Sequence, residues 1–142
     1  MLNSEKAKKI IARQQPISQD IINRVKNNLA EKGIVLEQST EWDRYLISNG
    51  NEAITFSDGT MVMHTNVSAS GFYEELIHYG QIKQGRANAG DIENNLLLEI
   101  ETKKRLIKNK KAYKITDYEI EVLKDILNEY QTRLNELKKG GI

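Results

Sequence analysis

Residues 53–81, AITFSDGTMVMHTNVSASGFYEELIHYGQ, carry two structural signals in succession. The first is a pair of β-prone runs on either side of Asp58-Gly59, a dipeptide typical of tight hairpin turns. The second is the segment from Ser70 to about Gln84, which we predict to be a helix that ends in a glycine-rich loop. This part of the chain therefore predicts a β-hairpin followed by a helix.

Three side chains on the predicted helix can carry chemistry: Glu74, Glu75 and His78. Glu74 precedes His78 by four residues and Glu75 precedes it by three, so both acids are neighbours of the ring on a helix. The HExxH motif uses the same geometry, with metal ligands at i and i+4 and a water-activating Glu at i+1. Glu74 takes the first ligand position, where a carboxylate can bind zinc or a harder ion such as manganese. The alternative is a solvated polar surface.

A second predicted helix follows, with Asp91 as its N-cap and its end near Asn109. Its apolar residues define a buried side on a helical wheel. They are Ile92, Leu96, Leu97, Leu98, Ile100, Leu106 and Ile107. Glu93 and Glu99 each lie about 60° from that direction, on opposite flanks, and Glu101 lies about 140° away and should face water.

A carboxylate near an apolar face is costly unless it is paired or bound to a metal. We therefore favour Glu99 as the third metal ligand, with Glu101 and Glu93 as fallbacks. The alternative is that Glu99 forms an ordinary ion pair with Lys103, four residues later. Gln81 lies one turn beyond His78 and either orients a ligand or is polar surface.

The remaining segments predict more helices and one short strand. They are a helix from Gln19 to Lys32 capped by Ser18, a strand at Ile34–Leu36, a helix from about Thr40 to Asn49, and a last helix opened by the Thr116–Glu119 capping box. His64 ends a hairpin strand, and we interpret it as a half-exposed strand histidine. The order of these elements predicts an α+β fold in which helices predominate.

The chain has 142 residues, with 21 Lys and Arg, 20 Asp and Glu, and a formal net charge of +1. This length fits one domain, expected at residues 1–142, with a flexible or loosely docked segment at 1–17 and the core at 50–135. Cysteine is absent, which excludes disulfides, thiol catalysis and thiolate zinc sites. With only two histidines, any metal site must draw mostly on carboxylates.

Basic residues cluster at 103–105 and 108–111. Acids lie close to them in sequence and the overall charge is balanced, so we expect a solvated helix face and no nucleic-acid partner. No apolar run approaches the ~20 residues that span a bilayer, and we expect no membrane partner. The N-terminus lacks the apolar region of a secretory signal, which favours a cytoplasmic protein or one exported as part of a larger chain.

The hairpin, the helix EELIHYGQ at residues 74–81 and the later LLLEIETKKRLI at 96–107 together resemble a known family. They are similar to the zincin-like metallopeptidase toxin domains of bacterial polymorphic toxins. Similar modules occur as C-terminal extensions of phage head-morphogenesis proteins. The shared pattern is a hairpin, a helix reading E-E-x-x-H-x-x-Q and a helix reading E-x-E, and it covers about residues 50–135.

The resemblance implies a metal-dependent hydrolase with Glu75 as general base and with His78 and Glu99 as ligands of Zn²⁺. Glu74 stands where the wider motif has its first histidine. The implied substrate is a peptide or protein, which the strand at residues 60–65 would align by edge pairing. The alternative function is a zincin-like scaffold without catalysis and without metal, which serves as a binding or assembly module.

Overall fold

The structure is a computed structural model that describes residues 16–56, 58–87 and 90–140. Within these ranges the fold is α+β with helices predominating, as predicted. The elements are α1 (Gln19–Glu31), β1 (Leu36–Glu37), α2 (Thr40–Ser48), β2 (Ala53–Thr55), β3 (Met61–Met63), α3 (Ala69–Lys83), α4 (Ile92–Lys108) and α5 (Asp117–Gly140). Packing divides the chain into two compact units, with the division between Leu76 and Ile77. The expectation of one domain over residues 1–142 stays a prediction.

The first unit contains a three-stranded sheet in the order β1-β3-β2. Strands β2 and β3 are antiparallel, with Ile54 opposite Val62, so the hairpin prediction is confirmed. Strand β1 runs parallel to β3, with Leu36 opposite Met61. Because both edges of β3 are already paired, the prediction that residues 60–65 align a substrate by edge pairing is wrong.

The helices of the first unit begin at polar caps. The Ser18 hydroxyl accepts a hydrogen bond from the amide of Asp20, as predicted for the start of α1. At α2 the cap is Ser39, whose hydroxyl accepts from the amide of Trp42, and Thr40 is the first helical residue. The apolar core of this unit is made of side chains that are fully buried or nearly so. Its largest members are Ile22, Leu36, Leu46, Met61, Met63 and Phe72.

Two neighbouring contacts define the start of α3. The amide of Ser68 donates to Oε1 of Glu52 at 2.7 Å, and the Ser68 hydroxyl accepts from the amide of Gly71 at 3.0 Å. The carboxylate also fits the partial positive charge of a helix N-terminus. A Cβ atom at Gly71 would lie 2.5 Å from Cδ of Glu52, so only glycine leaves room for this acid.

Residues before Pro16 lie outside the described part of the chain, and they include most of the N-terminal segment predicted at 1–17. Within the described part, Pro16 pairs with Ser68, and the amide of Ile17 donates to the carbonyl of Val67 at 3.0 Å. The end of this segment is therefore docked beside the start of α3.

In the second unit, α4 and α5 pack against each other. Asp91 caps α4 by accepting from the amide of Asn94 at 2.9 Å, as predicted. The capping box at α5 is also confirmed, since Thr116 and Glu119 exchange amide-to-side-chain hydrogen bonds. The core between the two helices is formed by one cluster of apolar side chains. It comprises Ile100, Tyr130 and Leu134, with Leu96, Ile126 and Leu127 against them.

The buried side of α4 differs from the predicted one. Ile92 and Leu97 were expected to be buried but are 67% and 46% exposed. The buried arc includes two polar residues, Thr102 and Lys103, which the wheel did not count. At about 100° per residue, the centre of the observed buried arc lies close to the direction of Glu99, whereas the predicted centre lies about 60° from it. The predicted acid therefore lies deeper in the helix interface than the apolar pattern indicated.

Candidate functional site

The second unit brings together His78 of α3 and Glu99 of α4. Nε2 of the ring lies 2.8 Å from Oε1 of the carboxylate. The side chains are 21% and 29% exposed, respectively, so both are partly shielded but reachable from solvent. Helices α3 and α4 thus place an imidazole and an acid against each other across 21 residues of sequence.

Gln81 fixes the orientation of the His78 ring. This side chain is only 4% exposed, and its Nε2 lies 3.1 Å from Oγ1 of Thr102 and 3.3 Å from the carbonyl of Leu98. Because these partners accept hydrogen bonds, the amide oxygen faces the ring, 3.0 Å from Nδ1 of His78. Nδ1 must then carry a hydrogen, which leaves Nε2 directed at Glu99.

Glu99 is an ionised carboxylate at neutral pH. Burial raises its pKa, but the hydrogen bond from His78 and the positive charges of Lys103 and His78 outweigh burial and lower the pKa to about 2. Nζ of Lys103 lies 3.6 Å from Oε2 of Glu99 and 5.8 Å from the centre of the Tyr130 ring. Each oxygen of this acid therefore has its own cationic or hydrogen-bonding neighbour.

Glu101 forms the outer end of the same network. Its Oε2 lies 3.0 Å from Nε2 of Gln81 and 2.8 Å from a guanidinium nitrogen of Arg86. Both members of the ion pair are 45% exposed, in agreement with the prediction that Glu101 faces water. Glu93, the other fallback ligand, is exposed in the first turn of α4.

Glu75 is buried, with 7% of its surface exposed. Its Oε2 accepts a hydrogen bond of 2.9 Å from the hydroxyl of Thr55 on β2. Glu74 is half-buried one turn before His78 on α3. Thr55 thus fixes one oxygen of the acid for which the resemblance implies a role as general base.

The other histidine, His64, is engaged within the first unit. Its Nδ1 accepts from the amide of Asn66 at 2.9 Å, and its Nε2 lies 3.8 Å from Oδ2 of Asp43. The hydroxyl of Thr65 donates to the same aspartate. His64 is therefore half-buried and held by contacts within the first unit, and it serves as a control for His78.

The donors at His78 and Glu99 fit a divalent ion in kind. One donor is an imidazole whose Nδ1–H is held by a carbonyl oxygen, and the other is an ionised carboxylate. Both are ordinary ligands of zinc. They are two donors, whereas tetrahedral zinc takes four. Within residues 16–56, 58–87 and 90–140, no group of three or more His, Asp or Glu side chains is arranged to hold a metal ion. The roles of Glu74 and Glu75 stay sequence-based predictions.

Three features of the site are not predicted by the sequence pattern: the contact of Thr55, the contact of Thr102 and the burial of Lys103. Thr102 had a usable signal, since it lies four residues after Leu98 and continues the same helix face. The predicted i+4 ion pair of Glu99 with Lys103 is confirmed, but the sequence pattern does not indicate that Lys103 is only 4% exposed. Thr55 contacts Glu75, which lies 20 residues later in the chain, so no pattern of neighbouring residues predicts this contact.

None of the helices in the described part of the chain is both long and apolar enough to cross a membrane. Comparisons with protein-family models, with curated proteins and with solved structures gave no match. The chemistry of the site is therefore the basis for its interpretation.

Proposed function

We propose that the chain is a metal-dependent hydrolase domain whose metal ligands include His78 and Glu99. The observation that carries the proposal is the 2.8 Å approach of Nε2 to Oε1 from two different helices. Gln81 supports it, because a ligand histidine is generally held in place through its other ring nitrogen. Glu74, one turn before His78 on α3, is the third ligand that the sequence motif proposes, although the described side chains do not bring it into a metal-binding group with His78 and Glu99.

A divalent ion at these residues would lower the pKa of a bound water and polarise a scissile carbonyl. Glu75 is the proposed general base, which accepts the proton of the attacking water and passes it to the leaving amine. Thr55 holds one oxygen of this acid. The substrate class follows from the resemblance and is a peptide or protein.

Zinc titration of the full chain by calorimetry tests the ligand assignment. We expect the wild type to bind zinc and His78→Ala and Glu99→Gln to bind it at least ~10-fold more weakly. His64→Ala is the matched control and should bind like the wild type. Equal binding by the wild type and His78→Ala would remove the proposal, provided that circular dichroism shows both to be folded.

Peptide hydrolysis tests the role of Glu75. In the zinc-loaded protein, Glu75→Gln should retain zinc binding and lose roughly 10²–10⁴-fold of its activity toward an unstructured protein substrate, since a general base contributes about that much. Glu41→Gln, an exposed acid on α2, should leave activity unchanged. A Glu75→Gln variant as active as the wild type would exclude Glu75 as the base.

The second candidate is a non-catalytic binding or assembly module on the same scaffold. It is favoured by the direct hydrogen-bonded pair of His78 and Glu99 and by the buried Lys103 beside that acid, because a positive neighbour opposes a bound dication. This candidate predicts that His78→Ala loses stability without any change in zinc binding. It also predicts self-association or a partner, which light scattering measures as mass in solution.

A further inference from the structure

The end of α4 and the turn after it form a strongly basic segment. Of the 12 residues from 103 to 114, seven are Lys or Arg and none is acidic. Lys103 is buried beside Glu99, and Lys110 pairs with Asp117. The other five side chains are exposed, and we call them the basic surface. They are Lys104, Arg105, Lys108, Lys111 and Lys114.

The acids that are close in sequence do not neutralise the basic surface. Glu99 and Glu101 pair with residues of α3 and of the loop that follows it. Asp117 pairs with Lys110, and Glu119 is buried in the cap of α5. In the part of the chain that the structure describes, no acidic side chain forms an ion pair with the basic surface.

The arrangement concentrates positive charge on one end of a helix. Lys104 and Lys108 are four residues apart and Arg105 and Lys108 are three apart, so each pair has Cβ atoms about 5–6 Å apart. A helix C-terminus attracts cations by its partial negative charge, but the effect is confined to the last turn. It does not account for Lys111 and Lys114, which follow the helix.

No large apolar side chain is exposed among these cations, since Ile107 and Tyr113 are half-buried and Ala112 is small. Leu106 is fully buried and Ile115 is 4% exposed. The large exposed hydrophobic residues of the described chain lie elsewhere, at Val35, Tyr45, Ile92, Leu97 and Leu137. Membrane-surface helices present apolar side chains together with their cations, whereas binding to a phosphate backbone needs cations alone. The exposed chemistry therefore favours nucleic acid over a lipid surface.

We propose that the basic surface binds nucleic acid through its phosphates, without reading the base sequence. The proposal differs from the sequence-based expectation because the nearby acids are engaged in other contacts. It is independent of the hydrolase proposal, since none of its residues belongs to the candidate site.

Fluorescence anisotropy of a labelled 20-base-pair DNA duplex of arbitrary sequence tests the proposal with the full chain. We expect binding with Kd in the micromolar range at 50 mM salt. The logarithm of the affinity should fall with the logarithm of the salt concentration with a slope of about −3.5 to −4.5, as for four or five phosphate contacts.

Two triple variants with the same change in charge locate the binding. Lys104→Ala/Lys108→Ala/Lys111→Ala should lose at least ~10-fold in affinity and about three units of salt slope. Lys26→Ala/Lys138→Ala/Lys139→Ala removes three exposed lysines outside the basic surface and should bind within about twofold of the wild type. Circular dichroism checks that both variants fold.

Three results would overturn the proposal. One is no binding of the duplex by the wild type at 50 mM salt. Another is an equal loss in the two triple variants, which would indicate a general charge effect. The third is tighter binding to phosphatidylserine vesicles or to polyglutamate than to the duplex, which would identify a membrane or an acidic protein as the partner.

Discussion

His78 has a hydrogen-bond partner at each ring nitrogen, and both partners are acceptors. The amide oxygen of Gln81 accepts from Nδ1, while Glu99, with a pKa of about 2, is also an acceptor at neutral pH. The 2.8 Å contact at Nε2 is therefore a hydrogen bond that requires a second ring proton, and a metal ion would have to displace that proton in order to bind. A doubly protonated ring describes the scaffold alternative, and a bound ion describes the hydrolase.

The lowered pKa of Glu99 predicts that the free energy of unfolding falls at acidic pH. Its pKa in the folded protein lies below the ordinary value of 4.5, at about 2, so the unfolded chain takes up the proton first as pH falls. The ion pair thus stabilises the fold fully above pH ~5, and this contribution, up to about 3 kcal/mol, is lost as pH falls toward 2. Urea unfolding should show Glu99→Gln less stable than the wild type at pH 7 and nearly equal to it at pH 2.

Glu93→Gln is the control for this measurement, since Glu93 is an exposed acid on the same helix. It should follow the wild type at every pH. A constant difference between Glu99→Gln and the wild type from pH 7 to pH 2 would contradict the assigned pKa.

Substitution of Gln81 should lower the free energy of unfolding substantially, although its side chain has no charge. Gln81→Leu keeps the volume but removes the acceptor of His78 Nδ1–H and the donor to Leu98 and Thr102. A buried polar group without a partner costs about 1–3 kcal/mol, and we expect a loss of that size in the free energy of unfolding. Gln84→Leu, at an exposed residue, should change stability by about 0.5 kcal/mol or less. Equal effects of the two substitutions would show that the hydrogen bonds contribute little.

Among the elements, those set by local chemistry were predictable from the sequence and those set by distant contacts were not. The Asp58-Gly59 turn, the cap at Asp91 and the capping box at Thr116 each depend on residues within a few positions of one another. Strand β1 pairs Leu36 with a residue 25 positions away, and nothing in its neighbourhood indicates a parallel partner. The same difference explains why the sequence predicts an edge strand at β3, whereas β3 is the central strand of the sheet.

The candidate site shows the same difference between what local spacing predicts and what distant contacts determine. Helical spacing placed Glu99 near an interface, and the structure sets it beside His78. Helical spacing alone does not predict that Lys103 is buried, since a lysine is rarely buried unless a partner pairs with its charge. That burial depends on Glu99 and on Tyr130, which comes from α5.

The turn between α4 and α5 contains a strained residue. Lys114 has a φ of 55°, in the left-handed region, which costs a non-glycine residue roughly 1–2 kcal/mol. Lys114→Gly should therefore raise the free energy of unfolding by about 1 kcal/mol, measured by urea denaturation. Lys111→Gly, in the same turn without a positive φ, should be neutral or destabilising. A less stable Lys114→Gly would mean that the lysine side chain supports the turn.

On the scale of the whole molecule, α3 belongs to both compact units. It runs without a break from Ala69 to Lys83, and the division falls between Leu76 and Ile77 within it. Melting either unit would remove part of the packing that stabilises this one helix, and an isolated helix of 15 residues is marginal in water. We therefore expect the two units to unfold together, as the prediction of a single domain requires.

Calorimetry of two core variants tests this coupling. Phe72→Ala in the first unit and Leu106→Ala in the second each remove a fully buried side chain, at a cost of about 2–5 kcal/mol. The wild type should show one transition whose calorimetric and van't Hoff enthalpies agree, and each substitution should lower the temperature of that same transition. Two transitions, each lowered by only one of the substitutions, would instead define two domains, because destabilising one unit would then leave the part of α3 in the other intact.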